Sequence, residues 1–126
     1  IDVACGSGQS TLGLQRHYEN VLGVDVSEAQ ISHAPRDVPN VSFQVGSAYD
    51  LSHIPSVSVD LVTVAAAIHW LDLDKFYAEV ERVLSPKGVL AAYSYGNHWL
   101  DVDSGSKLVN EVCMISLSQC FHAFHS

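Results

Sequence analysis

The sequence predicts an α/β domain built on an open, mostly parallel sheet with helices on both faces. Three observations carry that prediction: five short apolar runs, helical spacing between most of them, and a loop of very small residues directly after the first run. Continuous apolar runs suit strands covered on both faces, and strands joined through helices run parallel.

The first run, Ile1-Asp2-Val3-Ala4, is a strand end that carries an acid into Cys5-Gly6-Ser7-Gly8. Gly6 and Gly8 lack a Cβ, so the chain can turn tightly and a ligand can approach its backbone. If Gly8 to Ser10 opens a helix, the unpaired N–H groups of that helix face the same ligand. Leu12, Leu14 and Tyr18 then give a first helix over 10–18. Val21 to Asp25 is a buried strand ending in an acid, and Ser27 with Gln30 starts a second helix that Pro35 must end.

Val41, Phe43 and Val45 alternate with polar residues as a third strand before Gly46, and residues 47–58 read as loop. Asp60 to Ala67 is a central strand, followed at once by His69 and Trp70. Asp72 or Asp74 caps a helix in which Leu73, Phe76, Tyr77, Val80, Val83 and Leu84 share one face. Pro86-Lys87-Gly88 ends it, and 89–94 make a fifth strand. Leu108, Val109, Val112 and Ile115 predict a last helix over 107–118. Five strands are thus visible, and the tail 101–126 is expected to be helical, with little room for a C-terminal hairpin.

At 126 residues the chain is expected to be one domain spanning 1–126. Fourteen acids against six bases give a net charge of −8, which opposes phosphate backbones and anionic membrane surfaces, so neither nucleic acid nor membrane is an expected partner. Three cysteines make no disulfide framework, and no leader is visible, so a cytoplasmic setting is expected. Cys113, Cys120, His122 and His125 match no closed metal-ligand spacing, so no metal is assigned. A chain that opens on Ile1 inside a strand reads as a fragment, short of elements that would cover the crevice. Oligomeric state is left open.

Loop 4–10, Asp25, 46–49 and 65–70 all fall at strand carboxyl ends, where such sheets bind ligands. A dinucleotide site needs a third glycine three residues after Gly8, and that position is Thr11, which argues against an NAD-dependent oxidoreductase. IDVACGSGQST, with small residues at Ala4, Gly6 and Gly8 behind an acid, instead resembles class I S-adenosylmethionine-dependent methyltransferases. The resemblance continues through VLGVDVSEAQI, VSFQVGSAYDL, SVDLVTVAAAIHW and LDKFYAEVERVLSPKGVLAAY, and covers residues 1 to about 96. It is nearest to methyltransferase type 11 and trans-aconitate-type enzymes, which share a His-Trp pair after the fourth strand.

That resemblance implies a Rossmann-like fold and S-adenosyl-L-methionine as cofactor, with S-adenosyl-L-homocysteine as product. It implies that Ala4, Gly6, Ser7 and Gly8 border the methionine end, that Asp2 orders its ammonium group, directly or through water, and that Asp25 takes both ribose hydroxyls. Val26 would pack on the adenine and the Ala48 backbone would meet its edge. Ser47 would accept the adenine amino hydrogen where many relatives have Asp, and Ala65 or Ala66 would border the sulfonium. The acceptor is expected to be a small molecule, a carboxylate or other oxygen, lined by Trp70 and Tyr95. His69 is the candidate base, since an imidazole there could orient or deprotonate an acceptor near neutral pH. Packing of the pocket wall is the competing role for His69 and Trp70. A non-catalytic cofactor-binding or regulatory module with the same fold is the alternative reading of the whole chain.

Overall fold

The computed structural model describes residues 1–93 and, as backbone alone, 112–116. One six-stranded sheet has the order β3-β2-β1-β4-β5-β6. Its strands are β1 (Asp2–Val3), β2 (Val21–Asp25), β3 (Val41–Val45), β4 (Val59–Ala65), β5 (Leu84–Tyr93) and β6 (Val112–Ser116). The first five run parallel to their neighbours, as the sequence predicts, and β6 is antiparallel to β5. Helices α1 (Gln9–Leu14), α2 (Glu28–Ser32) and α3 (Leu73–Val83) lie in the connections, with a single 3₁₀ turn at Ile68–Trp70. Among the described residues no helix is long and apolar enough to cross a membrane.

The chain runs outward from β1 to β2 and β3, then returns to the far side of β1 for β4. Strand order therefore reverses between β1 and β4, and a crevice opens beyond their carboxyl ends. The sheet is fixed by a core in which Val3, Val62, Val64, Leu90 and Phe76 are fully buried. Helix α3 contributes Phe76, Val80 and Val83 to it, and burying each such side chain stabilises the fold by about 1.5–3 kcal/mol. Its start is fixed by Asp72, whose side chain accepts from the Lys75 N–H at 3.4 Å. At α2, Ser27 accepts from the Gln30 N–H at 3.2 Å, as its position predicts.

Three boundaries differ from the sequence reading. Helix α1 stops at Leu14 rather than Tyr18, and Asn40 Nδ2 takes up the carbonyls left behind it, donating to Gln15 O at 3.1 Å and Tyr18 O at 2.7 Å. Leu84 leaves the helical pattern to pair with Val59, so β5 begins five residues earlier than Val89 and absorbs Pro86-Lys87-Gly88 as an irregularity. Gly88 is needed there, since a Cβ would stand 2.7 Å from Leu84 Cδ2 and 2.8 Å from Val59 O.

The third difference corrects the expected tail helix: residues 112–116 form strand β6 on the open edge of β5. A short run such as Val-Cys-Met-Ile satisfies either periodicity, and an unpaired row of β5 backbone groups decides it toward strand. One antiparallel edge strand is therefore present where no hairpin was expected, and the remainder of 94–126 lies outside the described residues.

Candidate functional site

The loop after β1 is built from left-handed backbone: φ is 55° at Ala4, 58° at Gly6 and 90° at Gly8. The turn closes with the Gly8 N–H donating to Cys5 O at 3.0 Å, and the Cys5 N–H donates to Val24 O at 3.1 Å. Gly8 is also fixed by packing, because a Cβ there would stand 2.4 Å from Phe43 Cε1. The same ring lies 2.6 Å from where a Cβ on Gly23 would be, so two glycines receive one aromatic side chain across β2. Gly6 is different: the nearest atom to its would-be Cβ is Gln30 Oε1 at 3.8 Å, so its requirement is conformational.

Asp2 lies below this loop rather than in the crevice. It is fully buried, its Oδ2 accepts from Thr11 Oγ1 at 2.7 Å and its Oδ1 from Thr63 Oγ1 at 2.7 Å. The side chain has no exposed surface and ties α1 and β4 to β1. Thr11, which spoiled the dinucleotide pattern, is one of the two clasps. Thr63 is a site-building residue that the sequence reading passed over, and its signal was a lone hydroxyl in the apolar run of β4.

Asp25 stands half-buried at the end of β2, where the predicted ribose ligand should be. Its Oδ2 accepts from the Gly6 N–H and its Oδ1 from the Ser27 N–H, each at 2.8 Å. Each oxygen retains a second lone pair, so the carboxylate can hold the small-residue loop and still accept from a pair of hydroxyls. Next to it Val26 is 72% exposed, an apolar side chain with nothing packed on it.

Beyond β3, Ser47 Oγ accepts from the Tyr49 N–H at 3.1 Å, which occupies part of the accepting capacity expected for an adenine amino group. Ala48, next to it, is buried. Beyond β4, Ala65 is half-buried and Ala66 takes φ 55°, with its N–H donating to Tyr93 O at 2.6 Å. The 3₁₀ turn then exposes His69 and Trp70, whose rings stack at 4.9 Å and 43°. Trp70 is 78% exposed. The hydroxyls of Ser10 and Tyr93 hydrogen-bond across the crevice, from α1 to the end of β5.

Cys5 faces this loop, and burial pushes its thiol up to about 12, with Asp2 and Asp25 adding to the rise. It is a small packing residue here and not a nucleophile. The structure therefore gathers Ala4, Gly6, Ser7, Gly8, Asp25, Val26, Ser47, Ala48, Ala65, His69 and Trp70 at one end of the sheet, with Asp2 beneath them. Tyr95, Cys120, His122 and His125 lie outside the described residues, as does the side chain of Cys113. An open groove of about 830 Å³ lined by Leu14, Tyr18, Val21, Leu22, Val59 and Leu61 lies at the opposite, amino end, where β1 is shorter than β2 and β4. It includes none of the predicted site residues.

The crevice fits a nucleoside with a charged tail: a carboxylate for two hydroxyls, an exposed apolar side chain beside it, and a left-handed loop whose Gly6 is open. The described residues match the family model "Methyltransferase domain" over 1–92. A Dictyostelium discoideum protein named as a methyltransferase is 38% identical over 111 residues, which is 88% of this chain and 41% of that protein. The trans-aconitate 2-methyltransferase of an Acidovorax species is 35% identical over 94 residues, 72% of this chain and 36% of the enzyme. A solved structure from Anaeromyxobacter dehalogenans, titled as a type II methyltransferase, superposes with a TM-score of 0.70 at 48% identity, covering 75% of this chain and 40% of that one. The chain thus spans about two fifths of the length of each of these relatives. With the sheet order, the small-residue loop and these matches agreeing over the same residues, the chain belongs to the methyltransferase domain family.

Proposed function

We propose that this chain is the cofactor-binding part of an enzyme that transfers a methyl group to a small-molecule acceptor, a carboxylate or other oxygen. S-adenosylmethionine is the cofactor that the family implies. The observation that carries the reading is the Asp25 carboxylate, held at 2.8 Å by both the Gly6 and the Ser27 N–H groups at the switch point of the sheet. It supports a ribose-binding role for Asp25, with Val26 against the adenine, the Ser47–Ala48 turn at its edge and the Gly6–Gly8 loop around the methionine end.

When bound, the sulfonium supplies an activated methyl group with a good leaving group. What the chain must supply is alignment, which is worth up to about 7–11 kcal/mol of barrier in well-oriented reactions. Ala65 and the left-handed Ala66 bring backbone close to the reacting end, and the His69–Trp70 turn stands beside them. A carboxylate acceptor needs only to be held, whereas a phenol or amine also has to lose a proton, a task for His69. Asp2, Thr11 and Thr63 are buried beneath the loop, and their hydrogen bonds support it from below.

Formation of S-adenosylhomocysteine from S-adenosylmethionine, in the presence of a panel of small carboxylic acids headed by trans-aconitate and of phenols, tests the acceptor class. Turnover with carboxylates that survives His69→Ala, and loss of turnover with phenols in the same variant, is the expected pattern. A chain that binds S-adenosylhomocysteine yet turns over no acceptor would favour the non-catalytic module instead.

A further inference from the structure

The loop beyond β3 and the turn beyond β4 are joined through one tyrosine. Tyr49 follows the Ser47–Ala48 turn directly, and its own N–H is fixed on Ser47 Oγ at 3.1 Å. Its phenol oxygen accepts from the Asp72 N–H at 2.8 Å. Asp72 is the capping residue of α3, two positions after Trp70, and the Leu71 N–H before it donates to Ile68 O at 3.2 Å within the 3₁₀ turn. Lys75 completes the junction: its Nζ lies 2.9 Å from Asp72 Oδ2 and 6.0 Å from the centre of the Tyr49 ring. Anything that moves the Ser47–Ala48 backbone therefore pulls, through a short chain of bonds, on the segment that carries His69 and Trp70.

Neither end of this link is held by bulk packing, since Tyr49 is 40% exposed and Trp70 78%. The surroundings of both ends are firmer. Leu51 is fully buried and tied to α3 by Glu79 Oε2, which accepts from its N–H at 2.6 Å. The link thus runs between two short loops at the crevice rim, with the tyrosine between them.

We propose that Tyr49 is a positioning residue that couples occupation of the Ser47–Ala48 turn to the placement of the His69–Trp70 turn. A nucleoside seated against Ala48 would set the side of the crevice where the methyl acceptor binds, so cofactor binding would precede and organise acceptor binding. This rests on the cofactor reading above.

The chain labelled with 5-fluorotryptophan tests it by fluorine NMR, with Trp70 assigned through loss of its signal in Trp70→Phe. S-adenosylhomocysteine should shift the Trp70 resonance of the wild-type chain. In Tyr49→Phe the ligand affinity should change less than threefold while the Trp70 shift is lost, and Lys75→Met, which keeps the phenol bond, should retain the shift. An equal Trp70 shift in Tyr49→Phe would overturn the coupling. So would failure of that variant to fold, since the bond would then serve stability. Absence of any ligand binding to the wild-type chain would instead remove the cofactor reading, and the coupling with it.

Discussion

At the scale of single residues, the site is held from below by a carboxyl group and two hydroxyls. Thr11→Val leaves one buried oxygen of Asp2 without its donor and should cost about 1–3 kcal/mol in urea unfolding. An unchanged midpoint would show that the Asp2–Thr11 bond does not hold the loop. Cys5 gives a second expectation. A thiol raised from 9.0 to about 12 keeps its proton in the folded chain, so the stability tied to it is complete below pH 9 and is lost as pH rises toward 12. Alkylation of Cys5 by iodoacetamide at pH 8, read by peptide mass, should therefore be slow in the native chain and fast in urea. Equal rates would contradict the burial. At this scale the sequence was legible in part: the small residues and Asp25 stand where their spacing put them, but the hydroxyl setting of Asp2 was not legible. Its partners are 9 and 61 residues away, and no local pattern announces a hydroxyl that will meet a carboxyl across a sheet.

At the scale of elements, two junctions fix how helices and loops pack on the sheet. Gly8→Ala would set a Cβ against Phe43 and hold alanine at φ 90°, so it should destabilise the chain by about 2 kcal/mol or more. Phe43→Ala in that background should recover the steric part and leave the backbone part; no recovery would mean that Phe43 does not fill the slot. The other junction ties α3 to the loop before β4. Arg82 donates to Leu51 O at 2.7 Å, to Ile54 O at 2.9 Å and to Glu79, whose carboxyl it holds below its ordinary 4.5 by hydrogen bonding. A depressed carboxyl adds stability above its unfolded value and loses it as pH falls through the folded one. Thermal midpoints should therefore fall below pH 4.5 more steeply in the wild-type chain than in Arg82→Met, and parallel profiles would sink this assignment. Glu79 reads in sequence as a solvated helix face, because helical periodicity marks which side is apolar and says nothing of a loop that will pack on the other. The α3 face itself was legible, since Phe76, Val80 and Val83 repeat at helical spacing and all three are buried.

At the scale of the molecule, the parallel order β3-β2-β1-β4-β5 follows from runs that alternate with helical segments, and its crevice follows from the reversal at β1. What remained illegible was the edge. A five-residue apolar run can join a helix or a sheet, and β6 became a strand because β5 offered unpaired backbone to it. The groove at the amino end includes none of the predicted site residues and is therefore not the candidate site. On the proposed reading, the crevice at the carboxyl ends binds the cofactor nucleoside through Asp25. Calorimetric titration of the wild-type chain and Asp25→Ala with S-adenosylhomocysteine tests it directly. Saturable binding that weakens at least about tenfold in the variant is expected, since hydrogen bonds to a charged group are worth about 1.5–3 kcal/mol each. Equal affinity in both chains, or no binding by a folded wild-type chain, would contradict it.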